Sequence, residues 1–353
     1  MSLSSPPQSE INSILELFSN NNLQDALDKA KTLSKRFPDD SLLHNIRGAC
    51  YAGLGQLGSA VKSYEKALDI KPDYAKAHYN LGAAYHELEA MDDSIKSYKR
   101  SLEIDPNYAE AHNNLGTALS DNDQIDEAIS SFEKALIINP QYIEAHYSLG
   151  VIYHEIGKLD EAVKSYQDVI KVNPNFSEAY NNLGKVNKEL GNLDIAVEFY
   201  QKALKINPSF SEAHNNLGNI FKELGQLERA VKSYQKALEI NPDYPALHNN
   251  LGNAFYALDK LDDALNSFER ALSYNPDYVD SINSIGIVFN KLGNTDKALE
   301  SYKKAISIKP DYADVFNNLG NLYKDLNQLE DAVKSYEKAI DLKSNFAEAY
   351  NNL

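Results

Sequence analysis

Eight histidines and a recurring pair of asparagines are the side chains here whose type and spacing could bind or react. Imidazole is a common metal ligand, but a metal site needs several ligands converging on one ion. His44, His78, His112, His146, His214 and His248 recur at steps of 34 residues or twice that, so each falls on a separate helix. His86 and His154 lie two such steps apart, too far to share an ion. No His-x-x-x-His or Cys-x-x-Cys spacing occurs, and no metal site is expected. The sequence has no phosphate loop, no nucleophile elbow and no carboxylate pair outside its repeating pattern. No catalytic residue and no cofactor is therefore assigned, and the chain is expected not to be an enzyme.

The asparagines ask a different question. Residues 109–116 read AEAHNNLG and residues 211–218 read SEAHNNLG. Asparagine is about 0.5 kcal/mol worse than alanine inside a helix, so its repeated use there needs a cause. A side-chain amide both donates and accepts, and can hold a peptide backbone without reading its sequence. One hydrogen bond nets only about 0.5–1.5 kcal/mol, so several amides would have to act together. Such a row must be positioned by regular elements.

Proline marks those elements at Pro38, Pro72, Pro106, Pro140, Pro174, Pro208, Pro242, Pro276 and Pro310, every 34 residues. Glycine keeps the same step from Gly48 to Gly320. A fixed period of this length marks an array of small hairpins, not one globule. In residues 211–244, Ala213, Leu217, Ile220, Phe221 and Leu224 have helical spacing. Gly225 then suits the left-handed residue that ends a helix. The same slot holds Gly55, Gly157, Gly191 and Gly293, or Asp123, Asp259 and Asn327, with Glu89 as the exception. A second helix follows, with Leu227, Ala230, Val231, Tyr234, Ala237, Leu238 and Ile240 on one face. Glu228 near its start suits the positive end of the helix dipole, and Pro242 closes the repeat. Gly218, Ala230 and Ala237 are expected at close helix crossings, with Tyr234 and Tyr244 filling the wider gaps.

This pattern resembles the tetratricopeptide repeat. In residues 41–74 it is carried by His44, Gly48, Tyr51, Ala60, Tyr64, Ala67 and Pro72. One departure is systematic, because the family's usual tryptophan at position four is replaced by histidine, Tyr180, Ile282 or Phe316. The resemblance implies an all-α fold, a right-handed superhelical solenoid of antiparallel helix pairs. Residues 1–6 are expected to be disordered and 7–40 to form a degenerate capping repeat. Nine repeats would occupy 41–346, and 347–353 would begin a further first helix. That stub carries the expectation that the natural protein continues, or that another chain covers it.

The resemblance also implies that positions two, five, six, nine, twelve and thirteen of each repeat face a concave groove. Position six holds Asn80, Asn114, Asn182, Asn216, Asn250 and Asn318. Position five adds Asn113, Asn181, Asn215 and Asn249, and position nine adds Asn219 and Asn253. The row resembles the asparagine ladder in the repeat domain of O-linked N-acetylglucosamine transferase. Rungs two helix spacings apart would meet an extended ligand at roughly every sixth residue. Lys185, Lys188 and Lys222 offset a groove otherwise acidic at positions two and thirteen, which argues against capture of a C-terminal carboxylate.

The expected partner is an extended protein segment held by a non-catalytic scaffold. Two alternatives are a recognition arm of a larger glycosyltransferase or sulfotransferase, and self-association through the C-terminal end. A net charge of −16 without a basic stripe excludes nucleic acid. No apolar run reaches the roughly 20 residues of a membrane helix. The start MSLSSPPQSE has no signal-peptide pattern, and the single Cys50 cannot form an internal disulfide. A cytoplasmic setting is expected.

Overall fold

The computed structural model describes residues 5–353, and the regular structure among them is entirely helical. The expected disordered segment 1–6 falls outside the described residues for its first four positions. The chain divides into two compact units, one ending at Pro174 and one beginning at Asn175.

The N-terminal unit contains α1 (Gln8–Ser19), α2 (Leu23–Arg36), α3 (Ser41–Gly53), α4 (Leu57–Ile70), α5 (Ala75–Glu87), α6 (Met91–Ile104), α7 (Ala109–Asp121), α8 (Ile125–Ile138), α9 (Ile143–Glu155) and α10 (Leu159–Val172). The C-terminal unit contains α11 (Ser177–Glu189), α12 (Leu193–Ile206), α13 (Ser211–Glu223), α14 (Leu227–Ile240), α15 (Pro245–Ala257), α16 (Leu261–Tyr274), α17 (Val279–Lys291), α18 (Thr295–Ile308), α19 (Ala313–Asp325), α20 (Leu329–Leu342) and α21 (Ala347–Asn352). Within each unit, a first helix of 13 residues (12 in α1) packs antiparallel on a second helix of 14, each pair stacks on the next, and α21 is a six-residue first helix on its own.

The turn inside each pair is set by one residue in the left-handed region. Gly225 has φ of 71°, and Asp123, Asp259 and Asn327 have φ of 57°, 61° and 59°. Glu89 takes the same conformation at 59° despite its side chain. Asn21, one 34-residue step before Gly55, does so in the first pair, again at 59°.

Where the helices of a pair cross, a methyl group would not fit. A Cβ on Gly218 would sit 2.6 Å from the ring of Tyr234, which is completely buried. Overpacking of this kind costs roughly 1–3 kcal/mol. Ala230 and Ala237 are also fully buried. Tyr244 departs from expectation: it caps α15 at the surface and is 54% exposed, so it fills no interior gap. In the repeat at 75–108 the small positions carry serines whose polarity is satisfied. Ser94 Oγ donates to Gly82 O and Ser101 Oγ to Ala75 O, at 2.9 and 2.8 Å.

The histidines at position four have a role beyond packing. Each places Nε2 against the carbonyl of the proline six residues earlier, at 2.8 Å for His44 and Pro38 and 2.7 Å for His248 and Pro242. His78, His112, His146 and His214 make the same bond at 3.0–3.1 Å. A carbonyl can only accept, so Nε2 carries the proton. The bond ties the inter-repeat turn to the helix that follows it. Among the described residues no group of histidine, cysteine and carboxylate side chains could hold a metal, and no helix is long and apolar enough to cross a membrane.

Candidate functional site

The asparagines of the first helices form a seam between successive repeats. Position-six amides donate to the side-chain carbonyl at position five of the preceding repeat, 35 residues earlier. Asn80 Nδ2 bonds Asn45 Oδ1 at 2.9 Å, and Asn216 bonds Asn181 at 3.2 Å. Asn250 bonds Asn215 at 3.0 Å, Asn318 bonds Asn283 at 2.9 Å, and Asn352 bonds Asn317 at 3.2 Å. Helical packing explains the offset. Positions five and six of neighbouring first helices face each other, and an amide spans the gap.

Substitutions along the row are compensated in kind. Where position five is Tyr79, Asn114 Nδ2 donates to its hydroxyl at 3.0 Å. Burial and the Glu110 carboxylate raise the pKa of that hydroxyl, so it stays neutral. Where position six is Ser284, the carbonyl of Asn249 is met by Ser281 Oγ at 3.0 Å. Position nine is anchored from below, since Tyr234 donates to Asn219 Oδ1 and Tyr336 to Asn321 Oδ1, both at 2.8 Å. Asn253 lies opposite Phe268 and receives only a 3.5 Å contact from Ser284 Oγ.

The two rows therefore differ in what they offer. Asn113, Asn181 and Asn249 are 7%, 1% and 7% exposed, so these three position-five amides lie inside the seam and not open to the groove that the resemblance implied. Asn215 is half-buried, as are the position-six residues Asn80, Asn114, Asn182, Asn216, Asn250 and Asn318. A position-six amide that spends one N–H on the seam retains a second N–H, and also its carbonyl oxygen except at Asn114, where that oxygen accepts from Asn113. That remaining half is the polar group turned to the face of the first helices. Tyr79 and Ser281 were not legible as seam residues, because their partners lie 35 and 32 residues away in the neighbouring repeat.

Charge on this face is largely paired. Lys185 forms an ion pair with Glu212 of the next repeat, while Lys188 and Lys222 are exposed. Lys291 meets Asp259 at 2.7 Å, and in the N-terminal unit His86 meets Asp121 at 2.7 Å. Tyr312 donates to Asp280 at 2.6 Å. Burial, with the Glu144 carboxylate adding to it, pushes the Tyr142 hydroxyl up to about 12, so this residue too remains a neutral hydrogen-bonding group. Nothing in the face combines a nucleophile with a base.

Comparison with known proteins agrees with this architecture. A family model described as TPR repeat matches residues 48–89, 118–157, 152–191, 218–259, 286–327 and 320–353. Models described as tetratricopeptide repeat match 75–108, 177–210 and 245–278, and also 97–130 and 199–232. No curated protein matches the chain. Among solved structures, MamA is 29% identical over 47% of this chain and 97% of its own, with a TM-score of 0.42. YrrB, described as a TPR protein with an unusual peptide-binding site, is 25% identical over 54% of this chain and 98% of its own, with a TM-score of 0.43. The Cut9–Hcn1 hetero-tetramer of the APC/C shares the fold at 16% identity, covering 98% of this chain and 82% of the other, with a TM-score of 0.54. With family matches spread over well more than half of its length and helix pairs that repeat every 34 residues, the chain belongs to the tetratricopeptide-repeat family.

Proposed function

We propose that the chain is a non-catalytic scaffold that holds an extended protein segment along the face of its first helices. Tetratricopeptide-repeat proteins commonly act in protein–protein interaction, which supports the coarse reading. The finer reading rests on one observation: the position-six amides of Asn216, Asn250 and Asn318 are each held in a fixed orientation by a seam bond and keep a second N–H to spare. Amides fixed before a ligand arrives lose little rotamer freedom on binding it, which lowers the cost of association. The Lys185–Glu212 pair neutralises one acidic position-two residue near the start of the C-terminal unit's face, and the acidic residues that remain suit a neutral or mildly basic segment.

The test uses dodecapeptides selected on the full chain from a random displayed library. Asn216, Asn250 and Asn318 are then replaced together by alanine, and binding is measured by calorimetry well below the variant's unfolding midpoint. The substitutions remove seam bonds and strand the carbonyls of Asn181, Asn215 and Asn283, so some loss of stability is expected. A folded variant should bind at least tenfold more weakly, whereas a triple alanine variant on the outer helix faces (Lys164, Glu198 and Lys232) should bind as before. Equal affinity in the asparagine variant would overturn the proposal.

A further inference from the structure

The seam has one gap. In the repeat at 109–142, position five is Asn113, and the residue that should reach it from the next repeat is Ser148. Asn113 is 7% exposed, its Nδ2 is spent on Asn114, and its Oδ1 is buried without any partner. In the other seam bonds the equivalent carbonyl faces the following repeat and receives an N–H or O–H from it. Here the donor is missing because serine is too short to span the space. A stranded buried carbonyl is costly, and native proteins rarely leave one without a use.

The missing side chain leaves room. A cavity of about 380 Å³ opens between α7 and α9 on the face of the first helices, with Ser148 in its wall. Phe132, Val151 and Ile152 make part of its lining apolar, while Thr117 and Ser120 bring hydroxyls. Asp121 and Glu155 bring two carboxylates, one oxygen of Asp121 already meeting His86 Nε2 at 2.7 Å, and no lysine or arginine lines the cavity. The inventory is hydrogen-bond acceptors and negative charge around an apolar wall, in a cavity whose Ser148 is the residue that leaves the Asn113 carbonyl without a donor. That chemistry suits a group with an aliphatic stem and a cationic head bearing several N–H donors.

We propose that this cavity receives a lysine side chain of the segment held along the first helices, its ammonium donating to the Glu155 carboxylate and to the Asp121 oxygen that His86 leaves open. The segment rests on the reading given under Proposed function; the side-chain pocket does not, and the two are tested apart.

The probe is N-acetyl-lysine methylamide, titrated into the full chain with isoleucine and valine methyl groups labelled for NMR; the norleucine analogue, which keeps the stem and loses the charge, is the control. Lysine should give saturable shifts at the Val151 and Ile152 methyls, at least fivefold weaker in Asp121→Asn/Glu155→Gln. Ser148→Asn should abolish them, because its amide can bond Asn113 as Asn80 bonds Asn45, beside Tyr147 as Asn80 lies beside Tyr79. That variant should also unfold at a higher temperature than the parent, so loss of binding cannot be loss of fold. Equal shifts with norleucine, shifts that survive Ser148→Asn, or no shift at either methyl would each overturn the pocket. In a parallel titration with a selected dodecapeptide, binding of the amide alone would leave the pocket standing and sink the held segment. Binding of the peptide without perturbing Val151 and Ile152 would do the reverse.

Discussion

Glu89 occupies a turn position whose other holders between these helix pairs are glycine, aspartate or asparagine, and it adopts their left-handed backbone all the same. A side chain in this region brings Cβ against the following carbonyl, at a cost of about 1–2 kcal/mol, partly offset by the unfolded-state freedom that glycine would add. Glu89→Gly is therefore expected to stabilise the protein by about 1 kcal/mol, read from chemical denaturation. An unchanged or lower midpoint would mean that the glutamate side chain has a local role. This residue shows what a sequence displays well. The turn needs a positive φ, that demand falls on one residue, and glycine, asparagine and aspartate announce it. Because the period fixed the slot, even the exceptional Glu89 could be placed correctly. The asparagines at position five were harder to place. Whether an amide faces solvent or the neighbouring repeat depends on a partner 35 residues away, and neither residue's own type reveals it.

Between elements, the histidine–proline bond links six of the inter-repeat turns to the first helix after them, and burial of His78 and His112 makes the stack sensitive to acid. Burial lowers the pKa of His78, with the Pro72 carbonyl and Glu103 opposing the shift and Arg100 adding to it. Burial also lowers the pKa of His112, against the Pro106 carbonyl and with Lys134 adding to the depression. A depressed folded value means that the unfolded chain takes up protons first. The contribution of these two residues is thus complete above the ordinary histidine value of 6.5 and declines as pH falls through it. His112 adds a steric reason, since a proton on its buried, unpartnered Nδ1 would have no acceptor. The unfolding midpoint should drop between pH 7 and pH 5, and the drop should be smaller in His78→Gln/His112→Gln. A double variant with an unchanged slope would assign the acid sensitivity to other groups. Position four was legible as a packing site from the resemblance alone; the proline carbonyl that histidine reaches was not, because tryptophan makes no such demand on the turn.

At the scale of the whole molecule, the seam bonds described within each unit join one pair of helices to the next pair along the chain. In the C-terminal unit, removing residues 211–244 would bring Asn250 to the place of Asn216, with Asn181 as its acceptor. The shortened chain is expected to keep its helical signal per residue in circular dichroism and to unfold cooperatively, since stability in such arrays is close to a sum of repeat and interface terms. Removing residues 211–227 instead should abolish cooperative unfolding, because a second helix would then follow another second helix. A collapse of both variants would show that the seam is not a nearest-neighbour device. The regular 35-residue offset also bears on how such a gene can change. Recombination out of register by one whole copy restores every amide to a mate, whereas a slip of any other length orphans two rows at once. The number of copies is thus a quantity that inheritance can raise or lower without devising the packing anew, and the reach of the protein along its quarry can be tuned the same way.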